Sequence, residues 1–561
     1  MYVYDNTDHK ILSERVTQFR GQTERYLAGE LKAEEFLPLR LQNGLYVQRL
    51  APMLRVNVPY GMINATQLRK LAYIARRYDK GYVHISTRQN IQFNWPELSE
   101  VPNILEALSQ VEMHATQSSG NCIRNTTSDQ FAGISVDEKI DPRPYCEIIR
   151  QWSSFHPEFA FLPRKFKIAV TGADQDRAAV QVHDIGLQVI HNNEGEVGFR
   201  VFVGGGLGRT PVIGSVIRAF LPEEDLLTYL DAVLRVYNQL GNRTNKYKAR
   251  IKILVRALTP EIFTQKVEAE WLQIKDSTAK LTRAEIERAQ GFFTAPAYEK
   301  LDTEQQQILQ QLEQQRQKSA AFGKWLDRNV VAHRIAGYAA ITLSLKPTGV
   351  APGDITDNQL EAIADLSERY SFGEARTTHQ QNIVLADVKQ SDLFEMWQAC
   401  KKQGFATPNI NTLTDLICCP GGDFCSLANA KSIPIAEDIQ RTFSDMDYLY
   451  DLGDLDLNIS GCMNACGHHH VGHIGIIGVD KKGAEFYQIQ LGGNAGTDTT
   501  LGKVLGPSFN PEEVTGVIQK ILDLYLENRT DEELFIDTYR RLGMQPFKER
   551  VYAKKAEMVN A

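Results

Sequence analysis

A chain of 561 residues with 43% apolar content is long enough for about three or four domains with buried cores. Its net charge of -7 is small for that length and its apolar runs are short, so neither nucleic acid nor a membrane is an expected partner. MYVYDNTDHK at the N-terminus lacks an apolar signal core, and a soluble protein of the reducing cytoplasm is expected.

Residues 1–44 carry apolar positions at helical spacing among Arg and Glu, as in LSERVTQFRGQTERYLAGELKAEEF. They read as a helical arm over a neighbouring domain or a second subunit, without chemistry of its own. From Pro52, MLRVNVPYG reads as a strand and ATQLRKLAYIARRYDKG as a helix with Leu68, Leu71, Ile74, Ala75 and Tyr78 on one face. YVHISTRQNIQFNW then reads as a second strand. The same order returns in ITLSLKPTGV, ITDNQLEAIADLSERYSFG and ARTTHQQNIVLADV, where Thr356, Leu360 and Tyr370 answer Thr66, Leu68 and Tyr78. DIGL at 184–187 and VGGGLGRT at 203–210 return as HIGI at 473–476 and LGGNAGTD at 491–498. The chain is therefore two copies of one large unit, able to hold a cofactor between them. A Gln- and Glu-rich stretch over 271–334 reads as an exposed helical connector.

Five of the eight cysteines fall between Ile417 and Gly467. Setting Cys418 aside, Cys419 and Cys425 form a C-x5-C arm and Cys462 and Cys466 a C-x3-C arm. Four thiolates are a soft ligand set for zinc or an iron-sulfur cluster. Disulfides would need an oxidising compartment, and zinc favours C-x2-C hairpins, which are missing, although His468, His469, His470 and His473 keep a zinc site open. Gly421, Gly422, Gly461 and Gly467 favour a bulky cluster, because glycine lets backbone amides approach inorganic sulfur. Where the second copy has these arms, the first has GNCIRNTTSD and LPRKFKIAVTG, which offer positive charge. An oxyanion entering a closed pocket loses its water, and several cationic donors are needed to offset that cost. Lysines crowded by like charge also have lowered pKa values and can release protons near neutral pH. Cys122, Cys146 and Cys400 read as small buried hydrophobes.

TRQNIQF, LPRKFK, CPGGDFC and GCMNACG, in that order, resemble the sulfite and nitrite reductase family, whose members carry sirohaem coupled to a 4Fe-4S cluster. The resemblance runs from about Leu45 to beyond Gly506. It implies an α+β, internally duplicated, pseudo-twofold fold. Ferredoxin-like half-domains would occupy 45–115 and 335–405, a sirohaem and substrate domain 116–270, and a 4Fe-4S and sirohaem domain 406–561. By resemblance, Cys419, Cys425, Cys462 and Cys466 hold the cluster, and Cys466 also shares its thiolate with the sirohaem iron. Arg55, Arg124, Lys165 and Lys167 would face the substrate, and Arg88, Gln92 and Arg164 would pair with sirohaem carboxylates. Gly204, Gly205, Gly206 and Asn464 would lie against the macrocycle.

The activity implied is assimilatory, six-electron reduction of sulfite to sulfide. No nicotinamide or flavin unit is legible, so the donor would be external, a ferredoxin or an NADPH-dependent flavoprotein reductase. Reduction of nitrite to ammonia uses the same apparatus, but nitrite enzymes tend to carry Asn where this chain has Lys167, and lysine suits the doubly charged sulfite. The alternative from another class is a non-catalytic, Cys-ligated metal or anion-binding protein, which would be colourless or zinc-loaded. Cys418 and His468–His470 lie outside the family's pattern.

Overall fold

A computed structural model describes residues 1–559 except 49, 155, 302 and 303. Its described strands form four five-stranded sheets, two of each kind. The first ferredoxin-like sheet orders Leu45–Val47, Pro52–Val56, Ile91–Phe93 and Tyr82–Ile85, and its last place is taken by Asp354–Thr356 of the second copy. Its counterpart orders Val330–Ala332, Tyr338–Leu343, Ile383–Lys389 and Glu374–Thr377, closed by Met62–Asn64 of the first copy. Each copy thus lends a strand to the other, and the helices Ala65–Tyr78 and Asp357–Tyr370 pack together on the pseudo-twofold axis. Arg69 bridges to Asp365 and Glu368 at 2.7 and 2.8 Å across that contact.

The two larger domains repeat one sheet plan. Thr127–Ser128, Ile168–Thr171 and Ile185–His191 run parallel, followed by the antiparallel Val197–Val203 and Ser215–Pro222. Ile417–Cys418, Leu457–Ser460 and Ile474–Lys481 run parallel in the second copy, followed by the antiparallel Ala484–Leu491 and Lys503–Val504.

Three expectations are revised. YVHISTRQNIQFNW and ARTTHQQNIVLADV are hairpins rather than single strands, because a five-residue turn reverses the chain in each. Gln89 at φ +57° and Gln381 at φ +63° sit in the left-handed region at matching places, which no strand tolerates. The partner of Thr356 is Asn64, not Thr66: both cap a helix and share a capping box with a glutamine three residues on, Gln359 and Gln67. The connector is exposed only in part, since Phe322 and Trp325 of its last helix, Ala320–Asn329, are fully buried against Trp397 and the second half-domain. Trp325→Ala should therefore cost about 3–5 kcal/mol. Chemical denaturation followed by circular dichroism checks this, and a loss below about 1 kcal/mol would show that the helix does not belong to that core.

The N-terminal helix Asn6–Leu27 lies over Val101–Ser109, with Phe19 buried and Arg20 bonded to Asn103 at 2.7 Å. The arm packs on its own chain.

Candidate active site

Parallel pairing of Ile417–Cys418 with Leu457–Ser460 brings the two cysteine arms to the same end of one sheet. The arms then close on each other. Asn429 and Ala430 N–H groups donate to Gly461 O, and Gly461 N–H donates to Cys419 Sγ at 3.2 Å. A Cβ on Gly461 would meet Ala430 O at 2.6 Å, and one on Gly467 would meet Ile459 O at 1.9 Å. These glycines first of all let chain approach chain.

Burial pushes the Cys419 thiol up to about 12, with Cys466 adding to it, and the Cys462 thiol up to about 11. Burial also raises Cys425, again with a contribution from Cys466. The four sulfurs therefore feel one another. Backbone amides oppose the shifts, from Leu427 and Ala428 at Cys425 and from Asn464 at Cys462. Amides aimed at mutually repelling thiols are what cluster thiolates require, so these residues fit a 4Fe-4S group. Among the described residues no three His, Cys, Asp or Glu side chains gather as they would around a single metal ion.

Cys418 and His470 are engaged away from the four sulfurs. Cys418 points into the apolar core, and its backbone is clamped by Gln381, which accepts from its N–H at 2.8 Å and donates to its carbonyl at 3.0 Å. His468, His469 and His470 are all buried rather than exposed on a loop. His470 bonds Gln490 and Gly208 O at 3.0 and 2.9 Å, and so ties the two copies together.

Facing the cysteine arms is a basin of half-buried cations from the first copy. Arg55 sits opposite Gln92 in strand register and holds its side-chain oxygen at 2.9 and 2.7 Å. Arg88, on the hairpin turn, donates to Asn125 O and Thr127 Oγ1 at 2.6 and 3.0 Å and touches His183. The neighbouring Thr87 hydroxyl donates to Cys466 O at 2.8 Å, which fixes the turn against the cluster arm. Arg124 donates to Ser118 O and Gly120 O, each at 2.8 Å, and its own N–H reaches Phe166 O at 2.7 Å, beside LPRKFK. RKFK is not itself a strand; the strand begins at Ile168 and only Phe166 makes a bridge, to Ile123. The segment is left free to turn its lysines into the basin.

The electrostatics are those of an anion site. Burial, together with Arg124, Arg250 and Arg55, brings Arg88 down to about 9. Burial and then Arg250 bring Lys165, which also senses Cys466, down to about 8. Burial, Arg88 and Lys165 push Lys167 well below the usual lysine value. Asp184, fully buried, is taken by Arg250 at 2.8 and 2.9 Å and by the Lys167 N–H. Arg164 is half-buried, and burial, Arg250 and Arg124 lower it. Crowded cations this poorly matched by carboxylates fit a polycarboxylate macrocycle and an oxyanion.

The glycine run has an internal reason too. A Cβ on Gly205 would meet Gln181 O at 2.3 Å and His183 O at 2.6 Å, and one on Gly493 would meet Gly472 O at 2.5 Å and His470 O at 2.6 Å. The recurrence of glycine reflects the same loop packed on the same sheet twice. Gly204 takes φ +83°, and Gly206 lies under Arg250 and Lys252. Asn464 lies on the cluster arm next to Gly208, where the copies meet.

Sequence reasoning passed over three members of the basin, Arg250, Lys252 and Tyr46, and left a fourth, His468, without an assigned role. Arg250 and Lys252 alternate in KARIKIL, a signal that was available; Lys252 clamps the glycine loop through Leu207 O at 2.6 Å. His468 lies among Lys167, His379 and Arg88, and burial holds it well below the usual histidine value. Tyr46 gave no sign. Burial would raise its phenol, but Arg124, Arg55 and Lys165 outweigh burial and lower it, and the Arg55 guanidinium stands 5.3 Å over the ring.

No helix among the described residues is long and apolar enough to cross a membrane. The profile of the nitrite and sulphite reductase 4Fe-4S domain matches residues 119–275 and 410–558. That of the nitrite/sulfite reductase ferredoxin-like half domain matches 48–111 and 341–403. A sulfite reductase [ferredoxin] 1 of Mycolicibacterium paratuberculosis is 28% identical over 495 residues, 86% of this chain and 81% of its own. A chloroplastic ferredoxin–nitrite reductase of Arabidopsis thaliana is 27% identical over 84% of this chain and 75% of its own. The solved Mycobacterium tuberculosis NirA protein superposes with a TM-score of 0.75 over 92% of both chains at 24% identity, a likeness of fold. Two paired cysteine arms in one copy, a cation basin in the other, and both domain types matched twice lead to one conclusion: the chain belongs to the nitrite and sulphite reductase family, with the 4Fe-4S cluster and sirohaem as its cofactors.

Proposed function

We propose that this chain reduces sulfite to sulfide, drawing electrons one at a time from a ferredoxin in the cytoplasm. The observation that carries this reading is the crowding of Lys165 and Lys167 with Arg88, Arg124 and Arg250 beside Cys466. The sulfite reductases among the relatives support it, and their names support ferredoxin over a flavoprotein as donor. All eight cysteines are unpaired, in keeping with a reducing compartment.

Reduction of sulfite to hydrosulfide consumes six electrons and seven protons and releases three waters. Sirohaem and the cluster, when bound, supply the metal that takes the substrate sulfur and the electrons that reach it. Cys419, Cys425, Cys462 and Cys466 would hold the cluster, with Cys466 the thiolate on the sirohaem side. Arg88, Gln92 and Arg164 would pair with the macrocycle's carboxylates, and Gly204, Gly205, Gly206 and Asn464 would lie against it. Arg55 and Arg124 fix the substrate oxygens through planar, charge-assisted hydrogen bonds. Lys165 and Lys167, with ammonium groups destabilised by burial and like charge, hold protons within reach of the departing oxygens.

The visible spectrum of purified protein, with iron and acid-labile sulfide assayed on the same sample, tests the reading. Sirohaem bands with about five irons per chain are expected. A protein that stays colourless after reconstitution and holds zinc instead would overturn it in favour of a metal-stabilised binding protein. Nitrite is separated from sulfite by Lys167→Asn, which should lower the sulfite-to-nitrite ratio of kcat/KM by about tenfold, the worth of one charge-assisted hydrogen bond. A parallel fall on both substrates would deny Lys167 a discriminating role.

A further inference from the structure

A cavity of about 860 Å³ lies between the N-terminal arm and the loops 116–122 and 156–162. It is separate from the cation basin but touches it. At its buried end are Cys122, which is 7% exposed, and the half-buried Arg164. Its rim carries Arg15 from the arm helix and the exposed Arg243. The floor is the loop whose Ser118 and Gly120 carbonyls receive the Arg124 guanidinium on its other side.

The charge in this cavity is unbalanced. Among the described residues Arg243 bonds only Phe161 O and Asn238, at 2.8 and 2.9 Å, and none of Arg15, Arg164 and Arg243 has a carboxylate within salt-bridge distance. Glu14 is the acid in the lining, and it stands 4.0 Å from Lys10. Three guanidinium groups without a carboxylate partner line one cleft, and the innermost, Arg164, is next in sequence to Lys165. A volume this large does not grip a small oxyanion. It admits one with its water shell, so that dehydration is deferred to the basin, where several donors replace the water at once.

We propose that this cleft is the anion vestibule of the enzyme, with Arg15 and Arg243 on its rim drawing sulfite toward Arg164 and the substrate-facing cations. The arm, which sequence reasoning left without chemistry, supplies one wall. The inference rests on the sulfite-reducing reading above, and its test is arranged to fail separately from it.

The test is the second-order association rate of sulfite with cofactor-loaded enzyme, followed by stopped flow through the visible bands, with carbon monoxide on reduced enzyme as a neutral comparison. In the Arg15→Glu/Arg243→Glu double variant, sulfite association should slow by about tenfold or more at low ionic strength, with the gap closing as salt is added. Carbon monoxide should be unaffected. Ala160→Trp, which fills the cavity without changing charge, should slow both ligands. Should the double reversal compromise folding, Arg15→Gln/Arg243→Gln should still slow sulfite by roughly threefold. Sulfite association within twofold of wild type in both charge variants at low salt would overturn the vestibule. Wild-type enzyme that carries no haem bands or binds no sulfite would instead overturn the functional reading.

Discussion

Cys425→Ala is expected to yield a folded protein stripped of most of its iron and labile sulfide, with sulfite turnover lost. Loss of a ligand outside the first coordination shell lowers affinity or activity by roughly 10–100-fold, and removal of a direct thiolate should exceed that. Cys425 is the right member of the set to change, because it is only half-buried and the amides of Leu427 and Ala428 already point at its sulfur. The matched control is Cys418→Ala. Cys418 is adjacent in sequence to a proposed ligand, yet its side chain is 1% exposed within the apolar core and its backbone is held by Gln381. It should cost stability and leave iron content unchanged. Iron and sulfide assays on both variants decide the matter: equal iron in Cys425→Ala and wild type, or iron lost from Cys418→Ala, would redraw the ligand set.

The second large effect is expected from Lys165→Met, which removes a charge while keeping much of the side-chain volume. Removing one preorganised donor from a water-poor site commonly costs about 10²–10³ in rate, and a fall of that order in kcat/KM for sulfite is expected. Lys165 also sets a pH limit. Burial and Arg250 bring it down to about 8, so its ammonium form predominates below that value and is lost as the pH rises through it. The kcat/KM profile should therefore fall on its basic side near pH 8. Lys165→Arg, whose side chain is intrinsically more basic than lysine, should move that limb upward while retaining part of the rate. An unchanged limb in the arginine variant would assign the titration to another group.

The duplication was legible in the chain because both copies keep the same turn chemistry and glycine loops. DIGL and HIGI open equivalent strands, and Gly205 and Gly493 are demanded by the same packing of loop on sheet. Periodicity missed the hairpin turns at Gln89 and Gln381, since an apolar residue on either side of a five-residue turn imitates a continuous strand. It also misaligned Thr66 with Thr356, because a cap is recognised by the bond it makes and not by residue type.

What the sequence determined by itself is the chemistry: four cysteines in two glycine-flanked arms, and a first copy that puts arginine and lysine where the second puts thiols. Those are properties of residue type and spacing, and no folding is needed to read them. What only the tertiary structure decided is which groups meet. Parallel register brings the arms to one sheet end, the exchanged strands at Met62–Asn64 and Asp354–Thr356 lock the copies face to face, and Thr87 bonds Cys466 O across 379 positions of chain. The same long-range packing enrolled Tyr46 and Arg250 in the basin and raised the arm into the wall of a charged cleft. Contacts between residues hundreds of positions apart leave no local pattern in the chain, because the two sides are selected for each other's surface and not for their own neighbours in sequence.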